Sequence, residues 1–217
     1  MSNGNVFERL FKLIAMASKL VMDSKRRPED LFTLLQGFID HNSNQKVWET
    51  WKIIKLGTGL QSADDFRKEV VKAGMKIGDW ANDILGKPTF TAYESLTEVE
   101  LVVCSVAELG FKDGATRKDI YIRAQELGLD LCPPEVGPEL RLQYADQPKG
   151  EWLVIAMEPI TDSDGHLNLF RVAHYDDACW LFAGSGRPGY FWSGDSRFVF
   201  LRRKLVLQLG HCGFLTL

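Results

Sequence analysis

The chain has 217 residues, of which 45% are hydrophobic and 25% are charged, as in an ordinary folded globular protein. Thirteen Phe, six Trp and five Tyr supply enough aromatic side chains for a packed core, which argues against a disordered chain. The formal net charge of −3 at pH 7 argues against a dedicated nucleic-acid-binding protein, which would carry a marked positive charge.

Two amphipathic helices are predicted near the start of the chain. The first covers about residues 6–23, where apolar side chains recur at helical spacing between Phe7 and Val21. The second begins at Pro28, a residue favoured in the first helical turn. Their apolar faces pack on the rest of the chain or form a surface for self-association or a protein partner. Charged residues interrupt the first helix, so no contact with a membrane is expected.

A strand at about 50–56 and a pair of helices within 62–86 are expected next. Ser62 and Asp65 form a capping pair at the start of the first of these helices, and Gly74 ends it. The second helix follows directly and ends before Pro88, because proline does not continue a helix.

The helices at 62–86 also fit a helix-turn-helix, in which the second helix would read the major groove of DNA. The face available for reading carries Lys76, Asp79, Asn82 and Asp83. Two acids on this face would oppose the DNA phosphates. A plain helical hairpin, with Trp80 on its buried face, is therefore the favoured interpretation, and weak DNA binding is the lesser one.

The second half of the chain predicts a sheet with one inserted helix. An almost continuous apolar run at 98–106 indicates a strand buried on both faces, and Thr116 caps a helix that Gly128 closes. Further strands are expected at 139–144, 152–157, 166–173, 179–182 and 197–201. We therefore expect an α+β fold, with a helical region over 1–90 and a β-rich α+β domain over 91–217. Its sheet would be mixed or antiparallel, with about six strands.

The cysteines favour a reducing compartment. Cys104, Cys132, Cys179 and Cys212 are widely spaced and form no Cys-x-x-Cys pair, so reduced thiols in the cytoplasm are expected rather than a disulfide framework. The four histidines lack metal-ligand spacing, and no metal or other cofactor is expected. The apolar tail 205–217 would add a last strand or dock on a partner protein.

Several segments between Trp51 and Lys204 resemble an uncharacterised family of bacterial proteins. These are Trp80-Ala-Asn-Asp-Ile-Leu-Gly86, Ser105-Val-Ala-Glu-Leu-Gly-Phe-Lys-Asp-Gly-Ala115, Cys132-Pro-Pro-Glu-Val-Gly-Pro138, Leu140-Arg-Leu-Gln-Tyr144 and Ala156-Met-Glu-Pro-Ile160. The resemblance implies a bacterial origin and a cytoplasmic setting. It brings no activity, cofactor or catalytic residue, and it does not extend into the apolar tail.

One candidate site consists of polar residues in the β-rich half: Glu135, Arg141, Gln143 and Glu158. On a strand at 139–144, Arg141 and Gln143 would project to the same face. Glu158 follows an apolar strand, and because burial of a lone carboxylate is costly, Arg141 is its natural partner. Such a pair would be structural, or it would bind a ligand or take part in acid–base chemistry.

A second candidate site is the glycine-rich connection 184–194. Arg187, Tyr190 and Trp192 stand between its glycines, and aromatic rings beside an arginine can stack on a sugar, a base or a peptide. The alternative is an aromatic cluster that covers the sheet. The glycine spacing does not match a phosphate-binding loop.

Three functions remain open from the sequence. The preferred one is a binding or interaction protein that uses the loop at 184–194 and the polar strand face, because no catalytic motif is visible. The alternative is a small hydrolase- or transferase-like enzyme built on Glu135, Arg141 and Glu158. DNA binding through 62–86 is third.

Overall fold

The computed structural model describes residues 47–203, together with the isolated positions Ala15 and Lys19. The compact unit described below begins at Val47. The two predicted N-terminal helices and the apolar tail 205–217 lie outside the described residues. In the described part of the chain, no helix combines the length and the apolar character needed to cross a bilayer.

Helices are interspersed with strands up to residue 143, and from residue 152 to residue 202 the elements are all strands. The helices are α1 (Ala63–Lys72), α2 (Asp79–Leu85), α3 (Arg117–Glu126) and α4 (Val136–Gln143), with a 3₁₀ helix at Ala107–Leu109. The first strands are β1 (Lys52–Leu56), β2 (Lys76–Ile77), β3 (Thr97–Ser105), β4 (Ala115–Thr116) and β5 (Leu129–Asp130). The later strands are β6 (Trp152–Ile155), β7 (Ile160–Thr161), β8 (Leu167–Tyr175), β9 (Ala178–Ser185), β10 (Phe191–Trp192) and β11 (Arg197–Arg202).

Nine of these strands form one mixed sheet. Its order is β1-β3-β11-β6-β8-β9-β2, with β5 beside β11 and β7 beside β8. The pairs β11–β6 and β2–β9 are parallel, and the remaining pairs of this sheet are antiparallel. Strands β4 and β10 form a separate two-stranded sheet. The α+β class is confirmed, and the sheet is larger than the six strands predicted.

Local sequence signals place several elements correctly. Helix α1 begins after Ser62, whose hydroxyl accepts from the Asp65 amide while the Asp65 carboxylate accepts from the Ser62 amide, a complete capping box. Thr116 caps α3 in the same way through the amide of Asp119. The strands predicted at 50–56 and 98–106 correspond to β1 and β3.

The strand predicted at 139–144 is wrong, because these residues belong to α4. Every residue from Val136 to Arg141 is buried, so no solvent-exposed face marks these residues as a helix. Pro138 lies in the first turn of the helix, where backbone amides have no helical acceptor, so its missing amide hydrogen costs no hydrogen bond. The β-rich half therefore contains a second inserted helix.

The predicted helical hairpin at 62–86 also differs from the structure. Strand β2 lies between α1 and α2 and pairs in parallel with β9, so the two helices are not joined by a simple turn. Trp80 was expected on the buried face of α2, but it is 50% exposed. Ala81, Ile84 and Leu85 provide the buried face instead.

The two faces of the sheet differ in what covers them. Phe170 of β8 faces α4, because a side chain at Gly137 of that helix would come within 2.7 Å of the phenyl ring. The next residue, Arg171, projects to the opposite face. It shares this face with its cross-strand neighbours Val154 and Phe182. Helix α3 covers part of this second face.

Candidate functional site

A half-buried arginine, Arg171, lies at the centre of β8 against two indole rings. Its guanidinium carbon is 4.7 Å from the centroid of the Trp152 ring and 5.8 Å from that of Trp192. Contacts of this kind between a guanidinium and an aromatic ring are attractive because the ring face is negative. Trp152 comes from β6 and Trp192 from β10, so the fold assembles the group from three separate segments.

The side chain of Arg171 makes no hydrogen bond and no ion pair with any described residue, and its Nε is buried without an acceptor. Burial lowers the pKa of Arg171, and the neighbouring Tyr190 opposes this shift. The buried Nε1 of Trp192 also lacks an acceptor among the described residues. Buried donors without acceptors are uncommon in folded proteins and call for a physical explanation.

An open cavity of about 630 Å³ lies beside Arg171, and we call it the Arg171 cleft. Its lining includes Trp152, Val154 and Trp192 on the apolar side, and Glu151, Asp195 and Arg197 on the polar side. The volume falls in the range of small-molecule sites, and polar side chains outnumber apolar ones in the lining.

The other basic residues of the Arg171 cleft are already paired. Arg197 donates to Glu151 at 2.6 Å, and the second oxygen of Glu151 accepts from the Tyr144 hydroxyl at 2.9 Å. Lys149 forms an ion pair with Asp177. Among the basic side chains that line the cleft, Arg171 therefore stands alone without a carboxylate partner in the described residues.

A row of stacked aromatic rings lies beside Arg171 on the same face of the sheet. The ring of Phe182 stacks on Trp152 with an interplanar angle of 12° and on Trp180 with an angle of 7°. Lys76 lies 5.0 Å from the centroid of Trp180. Phe182 is stacked on both indole rings and is therefore not available to stack on a ligand. The row instead holds Trp152 in position beside Arg171.

A glycine provides the space that Arg171 occupies. A Cβ at Gly184 of β9 would come within 2.7 Å of the Arg171 Cδ. A side chain at this position would push the arginine from its place, since such a distance is far inside van der Waals contact. Glycine within a strand often marks a close approach of this kind.

Two predicted site residues, Glu135 and Gln143, hold the fold together instead of lining the Arg171 cleft. Glu135 is fully buried and accepts hydrogen bonds from the backbone amides of Gly57 and Tyr93, both at 2.7 Å. Its carboxylate thus ties the start of α4 to two loops. Charge-assisted bonds of this kind are about twice as strong as neutral ones.

Gln143 closes the free edge of β1. Its Oε1 accepts from the amide of Lys55 at 2.9 Å, and its Nε2 donates to the carbonyl of the same residue at 2.7 Å. The carboxamide thereby pairs with the strand as another peptide unit would. Since unpaired strand edges promote association between chains, this contact also protects β1.

Glu139 lies between these two residues on α4, and the sequence interpretation passed over it. It accepts from the Thr58 hydroxyl at 2.5 Å and from Gln143 at 2.8 Å, and it is 1% exposed. Burial raises its pKa; the two hydrogen bonds oppose this shift, and the negative charge of Glu135 adds to it. The i, i+4, i+8 spacing of Glu135, Glu139 and Gln143 would have indicated one polar stripe on a helix.

Arg141 and Glu158 do not form the predicted pair. Arg141 is fully buried and donates to Gln147 at 2.5 Å, to the Ala173 carbonyl at 3.2 Å and to the Tyr144 carbonyl. Glu158 is exposed. Burial lowers the pKa of Arg141. The structure therefore does not bring Glu135, Arg141 and Glu158 together as an enzyme site would require.

The predicted loop residues separate into two places. Trp192 is 7% exposed and lines the Arg171 cleft, and the ring of Tyr190 meets it edge-on at 5.0 Å. Arg187 lies instead in a second depression of about 410 Å³, together with Gly189, Tyr190 and Phe191. The loop thus contributes one aromatic wall to the cleft, while the anchoring arginine comes from β8.

No group of three or more His, Cys, Asp or Glu side chains in residues 47–203 is arranged to hold a metal ion. No protein-family model, curated protein or solved structure matches this chain.

Proposed function

We propose that this protein binds a small organic anion in the Arg171 cleft. The single observation that carries the proposal is the guanidinium of Arg171, which lies at a cavity of about 630 Å³ without an acceptor or a carboxylate among the described residues. A guanidinium offers planar, paired donors that match carboxylate and phosphate groups. The indole rings of Trp152 and Trp192 would contact the apolar part of the ligand.

The proposal keeps the preference for a binding protein over an enzyme, with a different anchoring residue. The cleft contains two carboxylates, but Glu151 is engaged by both Arg197 and Tyr144, and Asp195 accepts from the Ser193 hydroxyl. A general acid or base needs a group that is free to exchange a proton with the ligand. A cytoplasmic location and membership of the bacterial family described above remain part of the proposal, and the reduced thiols of Cys132 and Cys179 agree with a reducing setting.

The test is isothermal titration calorimetry with two organic anions, 1-naphthylacetate and 1-naphthyl phosphate. Wild-type protein should bind at least one of them saturably. Arg171→Gln should weaken that binding by about 10- to 100-fold, the usual effect of losing a charge-assisted pair of hydrogen bonds. Native mass spectrometry of the freshly purified protein would reveal a ligand that is already bound.

Arg187→Gln is the matched control, because it removes the same charge from the neighbouring depression. Its binding should equal that of wild type. If Arg187→Gln abolished binding and Arg171→Gln did not, the glycine-rich loop would be the site and the proposal would be wrong. Failure of both anions to bind would also contradict it.

A further inference from the structure

Acidic side chains line the Arg171 cleft together with basic ones. Glu151 and Asp195 offset two of the three positive charges of Lys149, Arg171 and Arg197. Asp177, the partner of Lys149 at the rim, offsets the third, so these six side chains sum to zero. A ligand with one negative charge is therefore favoured over a dianion, whose second charge would lie near Glu151 or Asp195 and be repelled.

Two indole rings bound the space around the Arg171 guanidinium. The guanidinium carbon lies 4.7 Å from the centroid of Trp152 and 5.8 Å from that of Trp192. A carboxylate is planar and accepts two parallel hydrogen bonds from a guanidinium. The rings beside it supply apolar contact surface for the rest of a ligand held in this way.

We infer that the ligand of the Arg171 cleft carries a single carboxylate on a flat, mostly apolar body. The inference rests on the proposed anion-binding function and specifies its ligand class. Arg171 would hold the carboxylate, and Trp152, Val154 and Trp192 would contact the body. Gly184 keeps the arginine in position to do so, because any side chain there would collide with it.

The experiment compares two matched pairs of probes by isothermal titration calorimetry at pH 7.5. The pairs are 1-naphthylacetate with 1-naphthyl phosphate, and phenylacetate with phenyl phosphate. The neutral 1-naphthylacetamide controls for binding through the aromatic body alone. In each pair the carboxylate should bind at least about tenfold more tightly than the phosphate, and the amide should bind at least about tenfold more weakly than its acid.

Two substitutions at one position connect the result to Arg171. Arg171→Lys keeps the charge but cannot form two parallel hydrogen bonds, so it should weaken carboxylate binding by about tenfold. Arg171→Gln should reduce the acid to the affinity of the amide. Circular dichroism and the thermal midpoint of each variant verify that it is folded, and Arg187→Gln again serves as the matched control.

Each outcome decides between the two levels of the proposal. If carboxylates bind more tightly than phosphates and Arg171→Gln loses this binding, the anion-binding function and the carboxylate inference are both supported. Phosphates that bind as tightly or more tightly, with the same loss, overturn the carboxylate inference and leave the anion-binding function intact. Absence of binding, or binding that Arg171→Gln does not change, overturns both.

Discussion

Glu135 provides the sharpest test of the difference between a residue that binds a ligand and one that holds the fold. The sequence placed it in a candidate ligand site, but its carboxylate accepts the amides of Gly57 and Tyr93 at 2.7 Å in a fully buried position. Replacement by alanine removes both acceptors. Both bonds are partly buried, so water replaces the lost acceptor only in part.

The magnitude follows from the number of bonds lost. A hydrogen bond to a charged group contributes about 1.5–3 kcal/mol, so two of them amount to about 3–6 kcal/mol. Relief of the buried negative charge offsets part of this loss. We therefore expect Glu135→Ala to lower the free energy of unfolding by about 3 kcal/mol, which corresponds to a fall of about 6–12 °C in Tm for a domain of this size. Glu135→Gln keeps one acceptor and should lose about 2 kcal/mol.

The assay is urea unfolding followed by tryptophan fluorescence and by circular dichroism. Glu158→Ala is the control, because this exposed glutamate should change the free energy of unfolding by no more than about 0.5 kcal/mol. The structural assignment would be refuted if Glu135→Ala stayed within about 1 kcal/mol of wild type. If Glu135→Ala had normal stability but did not bind 1-naphthylacetate, Glu135 would be a ligand-binding residue after all.

Two further predictions concern α4. Gly137→Ala should lower the free energy of unfolding by about 1–2 kcal/mol in the same urea assay. The new methyl group would meet Phe170 at 2.7 Å, and the cost of this overpacking exceeds the gain in helix propensity. A stabilised variant would contradict the packing described. The pKa of Glu139 is raised above its ordinary value of 4.5 in the folded state, so the folded protein binds this proton more tightly than the unfolded chain does. The free energy of unfolding should therefore fall as the pH rises from 4.5 through the folded pKa. Glu139→Gln should flatten this part of the profile, measured as Tm against pH, and an unchanged slope would contradict the assignment.

The elements predicted correctly from the sequence have signals contained within a few residues. The capping box of Ser62 and Asp65 and the long apolar run of β3 need no information from elsewhere in the chain. Helix α4 gives two conflicting local signals. Glu139-Leu-Arg-Leu-Gln143 alternates as a strand would, whereas Glu135, Glu139 and Gln143 recur at helical spacing. The two-residue strands β2, β5 and β7 are too short to show any alternation, so the sheet was predicted to be smaller than it is.

The candidate site could be predicted only in part, because its residues are distant in sequence. The glycine-rich loop indicates Trp192, which does line the Arg171 cleft. Nothing in the predicted strand 166–173 distinguishes Arg171, because its contact with Trp152 depends on the pairing of β6 with β8. Gly184 was visible in the sequence, but its meaning appears only when β9 pairs with β8 and sets it opposite Leu169, beside the arginine.

The two arginines on either side of this sheet show why Arg171 calls for a ligand and Arg141 does not. Arg141 is the more deeply buried, and its Nε also lacks an acceptor, yet its terminal nitrogens reach Gln147 and the carbonyls of Ala173 and Tyr144. Arg171 has ring contacts only, and a methionine or leucine would fill the same space without desolvating a charge. Contacts with the rings stabilise a cation by about 0.5–2 kcal/mol, less than a full set of hydrogen bonds. An acceptor from a bound carboxylate would supply the bonds that the described residues do not, and stability alone gives no reason for an arginine at position 171.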